Sequence, residues 1–223
     1  MALIGICGAH RTGKTTLAKK WADSVKFQYV DAGVSDVLRA NGFDPSKMQD
    51  LGVISLMRAQ DVVKDHLIGL ARKYSSKTEF YVIDRTPIDA CAYMKSIFNT
   101  KFFCGLDEWN EGSAEQFAKW YKDYVKECMF ETAKRFCMTV LVQPGIELVS
   151  DKKSAPANDL LINHLNTLML GDLSEVLDVH NDLSPIIQVM DRNILDLDYR
   201  IEKMDEFWMT AIVNHTWGQE FKE

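Results

Sequence analysis

Eight consecutive residues near the start of the chain have the types and spacing that bind phosphate. They read Gly8-Ala9-His10-Arg11-Thr12-Gly13-Lys14-Thr15 and match the pattern G-x-x-x-x-G-K-[ST] in full. In such a loop, glycines let backbone N–H groups turn toward phosphate oxygens, the lysine reaches the β- and γ-phosphates, and the hydroxyl ligates Mg²⁺. The residues that we expect to bind the nucleotide phosphates are Gly8, His10, Arg11, Thr12, Gly13, Lys14, Thr15 and Thr16, with Lys14 catalytic and Thr15 a metal ligand.

A second pair of residues with chemical potential follows the apolar run that ends at Ile83. Asp84 and Arg85 stand where a buried strand ends and a helix begins. Side chains at the carboxyl end of a parallel strand face the ligand crevice, so Asp84 can hold Mg²⁺ and Arg85 can clamp a phosphate. The alternative is a strand-end Asp–Arg ion pair that serves only stability.

The second predicted strand along the chain is followed by Asp31, which projects toward the same crevice, although an aspartate ahead of Ala32-Gly33 equally fits a turn. Gln60 lies on an apolar helix face, where an amide needs a hydrogen-bond partner such as a substrate base. Together these and neighbouring polar residues form the pool from which we expect the acceptor site to be built. The pool is Asp31, Ser35, Arg39, Arg58, Gln60, Arg85 and Asp89.

The elements that must position these residues alternate between short β-rich runs and longer helical patterns, which predicts a parallel sheet wrapped by helices. The predicted strands are Ala2–Cys7, Phe27–Val30, Phe80–Ile83, Met138–Val142 and Ile186–Met190. The predicted helices lie near Lys14–Val25, Ser35–Ala40, Lys47–Tyr74, Pro87–Phe98, Ala114–Phe136, Asp159–Leu170 and Asp196–Val213. Asn99–Gly112 is expected to form an ordered loop.

Thr86-Pro87-Ile88-Asp89 carries a start signal for one of these helices. A hydroxyl residue at the N-cap, proline at the first helical position and an acid two residues later form a recognised N-terminal pattern. We therefore expect a helix to begin directly after Asp84-Arg85. The signal places both residues at the junction of a strand and a helix.

Composition limits the class of protein. A chain of 223 residues with 47% apolar content can bury one large core, and we expect a single domain over 1–223 with a mobile flap at 149–158. Lys152 and Lys153 give that flap the charge to close over phosphates.

The net charge of −6 argues against a dedicated duplex-DNA binder. No apolar run approaches the length of a membrane span, and the five cysteines show no C-x-x-C pairing, so we expect a cytoplasmic protein with no membrane partner.

The phosphate loop, the Asp84-Arg85 strand end and the polar flap together resemble the P-loop nucleoside and nucleotide kinases over nearly the whole chain. Within them, the phosphate loop, the stretch from Val34 to Pro45 and the stretch from Asp84 to Asp89 resemble a small group of bacterial and phage kinases. That group is similar to ribosylnicotinamide-kinase domains and to phage kinases of deoxynucleotides or of hydroxymethyl-uracil in DNA.

The resemblance implies an α/β fold, the three-layer P-loop NTPase fold of kinase type, with a central five-stranded parallel sheet in the order 2-3-1-4-5. It also implies ATP and Mg²⁺ as cofactors, an acid at the Asp84 position near the metal and an arginine at the Arg85 position on the acceptor. In nucleoside kinases an acid at the end of the second strand takes the acceptor's proton, and Asp31 holds the matching place. The lid of the wider families carries arginines, whereas this flap carries lysines.

Three other functions compete with a kinase. A motor ATPase would need a strand that ends in Asp-Glu, and a switch GTPase would need an Asn/Thr-Lys-x-Asp motif, neither of which the chain shows. A non-catalytic ATP-binding regulatory module stays open. We expect a small nucleoside or nucleotide as the acceptor, with hydroxymethylated DNA as the alternative, and a homodimer as a further expectation. For a phage-encoded chain the compartment would be the host cytoplasm.

Overall fold

The computed structural model describes residues 3–103, 111–146, 158–183 and 185–220. Its sheet has five parallel strands in the spatial order β2-β3-β1-β4-β5, which confirms the predicted order. The strands are β1 (Leu3–Cys7), β2 (Gln28–Asp31), β3 (Tyr81–Asp84), β4 (Met138–Val142) and β5 (Ile187–Met190). Every residue of β1 and of β4 is buried, as expected for central parallel strands that are covered on both faces.

Helices connect the strands and cover both faces of the sheet. In the described residues they are α1 (Lys14–Val25), α2 (Val34–Ala40), α3 (Val53–Ser75), α4 (Pro87–Phe103), α5 (Glu111–Arg135), α6 (Asp159–Val179) and α7 (Leu197–Glu220). Short 3₁₀ turns lie at Pro45–Asp50 and Asn181–Leu183.

The first helical layer consists of α1 and α7. Ile4 and Ile6 of β1 pack in one buried cluster with Leu17 and Trp21 of α1 and with Met204 of α7. Their alternation with Leu3 and Gly5 follows the two-residue repeat of a strand. This layer supports the start of α1 and therefore the phosphate loop that precedes it.

The opposite layer includes α4, α5 and α6. Cys7 and Leu141 from the sheet lie in a buried cluster with Ile88 of α4, Met129 of α5 and Leu165 of α6. The three-layer α/β arrangement is thus the expected one. It leaves the carboxyl ends of the strands uncovered by helices at one edge, where polar residues collect.

The prediction of one continuous helix over Lys47–Tyr74 is wrong. The chain forms the turn Pro45–Asp50, becomes extended at Leu51 and Gly52, and only then begins α3. Asp44 caps the turn by accepting a hydrogen bond from the backbone N–H of Ser46 at 2.9 Å. The extended backbone at Leu51 and Gly52 interrupts the helical hydrogen-bond ladder that the apolar spacing alone suggested.

The predicted loop over Asn99–Gly112 also needs correction. The helix α4 continues to Phe103 and α5 already begins at Glu111, so both ends of the predicted loop are helical. Residues 104–110 lie outside the described part of the chain. The helices α6 and α7 likewise run past their predicted ends at 170 and 213. Within the described ranges, none of the helices combines the length and apolarity needed to cross a bilayer.

Gly5 marks a close contact that tests this packing. A Cβ atom there would lie 2.6 Å from Cγ2 of Thr86 and 2.7 Å from Cδ1 of Phe136. We expect Gly5→Ala to lower the free energy of unfolding by about 1–3 kcal/mol, because an overpacked core must shift. Gly69 of α3 is exposed, and a Cβ atom there would have no neighbour within 4 Å outside its own helix backbone. Gly69→Ala should therefore raise the free energy of unfolding by about 0.5–1 kcal/mol.

Urea denaturation of both variants, followed by circular dichroism, measures these changes. Equal stability of Gly5→Ala and the wild type would contradict the close packing of β1 against the start of α4.

Candidate active site

The phosphate loop spans the residues between β1 and α1. Gly8 and Gly13 have φ angles of 146° and 82°, and Arg11 has a φ of 64°. Such positive values favour glycine, and at Gly8 a Cβ atom would also lie 2.5 Å from the carbonyl oxygen of Val142. The loop ends where α1 begins at Lys14, so its backbone N–H groups and the helix dipole converge on one anion site.

Lys14 is almost fully buried inside this loop. Its Nζ atom donates a hydrogen bond of 2.6 Å to the carbonyl oxygen of Ala9, and the hydroxyl of Thr12 donates to the same oxygen at 3.1 Å. Burial, together with the nearby guanidinium of Arg85, lowers the pKa of Lys14 to about 8. The ammonium therefore lies where a bound phosphate would stabilise its charged form.

Thr15 and Asp84 form the best candidate for a metal site. The parallel register of β1 and β3 places Asp84 opposite Ile6, directly beside the phosphate loop. The hydroxyl of Thr15 donates a hydrogen bond to Oδ2 of Asp84. Oδ1 of Asp84 is buried and has no hydrogen-bond partner in the described residues. A carboxylate oxygen and a hydroxyl next to a phosphate site fit the ligand preferences of Mg²⁺.

Arg85 holds a strained backbone conformation at the end of β3. Its φ of 112° is unusual for a residue with a side chain and costs about 1–3 kcal/mol. Its backbone N–H donates to the carbonyl of Ile6 at 3.0 Å, and its side chain pairs with Asp89 at 3.4 Å. The guanidinium carbon also lies 5.4 Å from the ring centre of Tyr93. Among the described residues, Arg85 and Asp84 thus contact different side chains.

Asp89 connects three segments of the site. Its Oδ1 accepts from the backbone N–H of Gly8 at 3.3 Å, and its Oδ2 accepts from the backbone N–H of Thr86 at 2.8 Å. The second bond confirms the predicted N-terminal capping of α4. Burial raises the pKa of Asp89, whereas the charges of Arg85 and Lys14 oppose that rise.

A cavity of about 290 Å³ opens between α2, α3 and α4. It brings together four of the predicted acceptor-site residues, and His10 of the phosphate loop also lines it. Apolar side chains form most of the remaining wall. The predicted acceptor residues on its surface are Ser35, Gln60, Arg85 and Asp89.

Three other predicted acceptor residues have exposed positions outside that wall. Arg39 pairs with Asp36 on the surface of α2, and Arg58 is exposed on α3. Asp31 is exposed, accepts a hydrogen bond from the backbone N–H of Gly33 at 3.0 Å, and lies opposite Asp84 in the register of β2 and β3. Asp31 therefore forms the turn that its sequence context allowed, at the edge where the crevice opens. The flap residues Lys152 and Lys153 lie outside the described part of the chain.

The sequence analysis missed Tyr93. Its hydroxyl lies 3.0 Å from the backbone nitrogen of His10, which donates to it, and 3.0 Å from Nδ1 of the same histidine. Tyr93 lines the cavity and therefore connects it to the phosphate loop. A signal was present, because Tyr93 follows Asp89 by four residues and so shares its face of α4.

A second cavity, of about 410 Å³, lies on another side of the loop. Its wall comes from the segments after β4 and β5, including Ile146, Arg192 and Asn193, and from the first turns of α6. Gly145 approaches the carbonyl of Arg192 so closely that an added Cβ would lie 1.9 Å from that oxygen. Cδ1 of Ile146 lies 2.9 Å from the Cβ position of Gly13, so this cavity borders the phosphate loop.

Comparisons with known proteins agree with this architecture. Residues 3–141 match a family model described as AAA domain, which covers more than half of the chain. Deoxyadenosine kinase from M. mycoides, solved with dCMP and dCDP, is similar at a TM-score of 0.56 and 15% identity, over 93% of this chain and 99% of that chain. Thymidylate kinase from Candida albicans is similar at a TM-score of 0.58 and 14% sequence identity. That similarity covers 94% of this chain and 91% of the thymidylate kinase chain.

The NadR protein in complex with NR is similar at a TM-score of 0.58 and 14% identity. The similarity covers 92% of this chain but half of that one. A search of curated proteins finds no significant match. At these identities the solved structures show that the fold is the P-loop nucleoside and nucleotide kinase fold.

The low pKa of Lys14 predicts proton uptake on nucleotide binding at alkaline pH. A bound triphosphate stabilises the ammonium, so the pKa of Lys14 rises in the complex and the affinity falls as the pH increases above about 8. We expect calorimetry with Mg·ATP, in buffers of different ionisation enthalpy, to give little uptake at pH 7 and close to one proton at pH 9.

The variant Lys14→Met is the matched control, since it has no group to titrate and should show no uptake at either pH. Wild-type binding at pH 9 without proton uptake would contradict a role for Lys14 on the phosphates.

Proposed function

The chain belongs to the AAA domain family, and from that premise we propose that it is an ATP- and Mg²⁺-dependent phosphotransferase that acts on a hydroxyl group of a nucleoside-sized acceptor. The observation that carries the proposal is the position of the phosphate loop between two cavities. Ile146 of one cavity contacts the loop near Gly13, and His10 of the loop lines the other. A donor and an acceptor could therefore meet at the loop. We propose further that residues 1–223 act as a single domain.

The donor phosphates would bind to the loop. The N–H groups around Gly13 and the ammonium of Lys14 would contact the β- and γ-phosphates. Thr15 and Asp84 would hold Mg²⁺, which when bound neutralises charge on the phosphates. Strand β3 ends in Asp84-Arg85 rather than in Asp-Glu, which disfavours a motor ATPase.

The donor base would occupy the larger cavity beside Ile146 and Asn193. That cavity has both apolar and polar lining residues, which suits a purine with hydrogen-bonding edges. Deoxyadenosine kinase from M. mycoides, one of the similar structures, has been solved with dATP bound. ATP is thus the donor that we propose for this chain.

The acceptor would occupy the smaller cavity. Its wall is largely apolar, and Gln60 supplies a buried amide that can pair with a base or an amide of the acceptor. Among the described residues that line the cavity, Arg85 is the permanent cation, while Arg39 and Arg58 lie elsewhere on the surface. One cation suits the phosphoryl group in transfer better than it suits an acceptor that already carries a phosphate, so a nucleoside-type hydroxyl is favoured.

Asp31 would take the proton of that hydroxyl. Asp84 contacts Thr15, and both oxygens of Asp89 already accept hydrogen bonds. Asp31 is exposed at the crevice edge, on the strand next to Asp84. Of these three carboxylates it has the most freedom to reach a substrate, which supports its role as general base.

An acceptor screen tests the function. The protein with Mg·ATP is mixed with nucleosides, nucleoside monophosphates or hydroxymethylated DNA, and acceptor-dependent ADP release is measured. We expect turnover with a nucleoside. Asp84→Asn should lower kcat at least a hundredfold because the metal is lost, whereas Arg85→Ala should mainly raise the acceptor KM.

Three outcomes of the screen contradict the proposal in different ways. ATP binding without acceptor-dependent ADP release would indicate the regulatory module instead, and turnover with modified DNA alone would identify a polymer substrate. If Asp84→Asn and Arg85→Ala lost thermal stability but kept wild-type kinetics per folded molecule, the two residues would serve stability alone.

Asp31→Asn separates a hydroxyl acceptor from a phosphate acceptor. A hydroxyl must lose its proton during transfer and a monophosphate need not, and a positioned base contributes about a hundred- to ten-thousandfold. We expect kcat to fall at least tenfold while the Kd for Mg·ATP stays constant. Full turnover of a hydroxyl substrate by Asp31→Asn would exclude Asp31 as the base. Asp36→Asn, an exposed change on α2, is the control.

A further inference from the structure

Arg200 of α7 connects two loops that are far apart in sequence. Its Nη1 donates a hydrogen bond of 2.8 Å to the carbonyl oxygen of Thr12 in the phosphate loop. Its Nε donates a hydrogen bond of 2.6 Å to the carbonyl oxygen of Ile194, in the segment between β5 and α7. Asn193 and Leu195, the neighbours of Ile194, line the larger cavity. One guanidinium thus joins the phosphate loop to the wall of that cavity.

The guanidinium of Arg200 is buried, and none of the carboxylates in the described residues pairs with it. The residue is 2% exposed and forms no ion pair with another described residue. Burial lowers the pKa of its guanidinium. Its Nη2 atom is buried and has no hydrogen-bond partner within the described ranges. A buried cation that contacts only carbonyl oxygens is costly unless an anion is near. The phosphate loop that it contacts is built to bind one.

The contact with Thr12 fixes the direction of the next backbone N–H group. The carbonyl of Thr12 and the N–H of Gly13 belong to one planar trans peptide, so they point in opposite directions. With Nη1 of Arg200 on the carbonyl oxygen, the N–H of Gly13 is turned away from Arg200. Gly13 has a φ of 82° and no side chain to restrict it, so an outside contact is needed to hold this peptide in place. Hydrogen bonding at the carbonyl also strengthens the N–H as a donor.

We propose that Arg200 is a positioning residue that aims the Gly13 N–H at the donor phosphates and couples the phosphate loop to the donor-base cavity. This inference rests on the proposed binding of ATP in the larger cavity. Because Arg200 touches both loops, its loss frees the peptide at Gly13 and the Ile194 segment together. Its positive charge also adds to the potential that attracts a triphosphate.

Binding measurements on two variants test the proposal. Arg200→Met keeps the length of the side chain but has no charge or donor, and Arg200→Lys keeps the charge but cannot reach both carbonyl oxygens in the same geometry. We expect the Kd for Mg·ATP, measured by calorimetry without acceptor, to rise at least tenfold in Arg200→Met and about threefold in Arg200→Lys. The acceptor KM should stay within twofold of the wild type, which a general loss of packing would not give.

Lys203→Met is the matched control. Lys203 lies one turn further along α7 and pairs with Glu206 on the surface, so its loss removes the same charge without touching the loop. We expect its Kd for Mg·ATP to stay within twofold of the wild type. A comparable loss in Lys203→Met and Arg200→Met would show that only the net charge matters, and would overturn the positioning role.

Inorganic tripolyphosphate separates the two halves of the proposal, because it has no base. Its affinity should also fall in Arg200→Met, but by a smaller factor than the affinity for ATP, and equal factors for the two ligands would refute the coupling to the donor-base cavity. If tripolyphosphate bound the variant as well as the wild type, the effect on the phosphate loop would be refuted. A lower melting temperature with unchanged Kd values would likewise refute it, and would leave Arg200 a purely structural residue.

The binding measurements still test the proposal if Arg200→Met does not fold, because Arg200→Lys provides a second variant. A folded Arg200→Lys with wild-type affinity for both ligands would then overturn the proposal. Failure of the proposed transfer reaction is distinct, because it would appear as ATP binding by the wild type without acceptor-dependent ADP release. A wild-type chain that bound neither Mg·ATP nor tripolyphosphate would overturn both.

Discussion

The carboxylate of Asp89 receives hydrogen bonds from separate parts of the chain, and the geometry of the site depends on it. Gly8 begins the phosphate loop, Arg85 directly follows β3 and Thr86 precedes α4, and all three donate to this one buried side chain. A buried carboxylate is tolerated only when such donors and opposing charges surround it. Asp89 thereby links the loop, the sheet edge and the first turn of α4 at a single point, and it restrains the strained backbone of Arg85.

Oδ1 of Asp84 and Nη2 of Arg200 are two of the buried atoms that find no hydrogen-bond partner among the described residues. Oδ1 of Asp84 lies on the metal side of the phosphate loop, and Nη2 of Arg200 lies on the side of α7. Each unsatisfied polar atom costs about 1–3 kcal/mol, and more where it is charged. One atom favours a cation and the other favours an anion. A magnesium–nucleotide complex carries both kinds of charge, so the unsatisfied atoms indicate where ligand binding would recover free energy.

Short-range sequence signals determined much of the fold. The buried strands β1 and β4 are continuous apolar runs, and Thr86 and Asp89 set the start of α4 through hydrogen bonds within four residues. The order of the strands followed from the resemblance to P-loop kinases. Helix ends were less predictable, because apolar residues such as Met48 and Leu51 precede α3 although the backbone is extended at Leu51 and Gly52. Apolar periodicity reports which face is buried and does not report where the hydrogen-bond ladder breaks.

The sequence by itself determined the phosphate loop, since its glycines, Lys14 and Thr15 are contiguous and act through local backbone geometry. It also singled out Asp84 and Arg85 by their position at a strand end, and Gln60 as an amide on an apolar helix face. Only the tertiary structure decided that Asp31 lies opposite Asp84 in the sheet and that Arg200 reaches Thr12, 188 positions away. Such contacts depend on how α7 packs beside α1 and on the strand register, which arise from the whole core and leave no local pattern in the sequence.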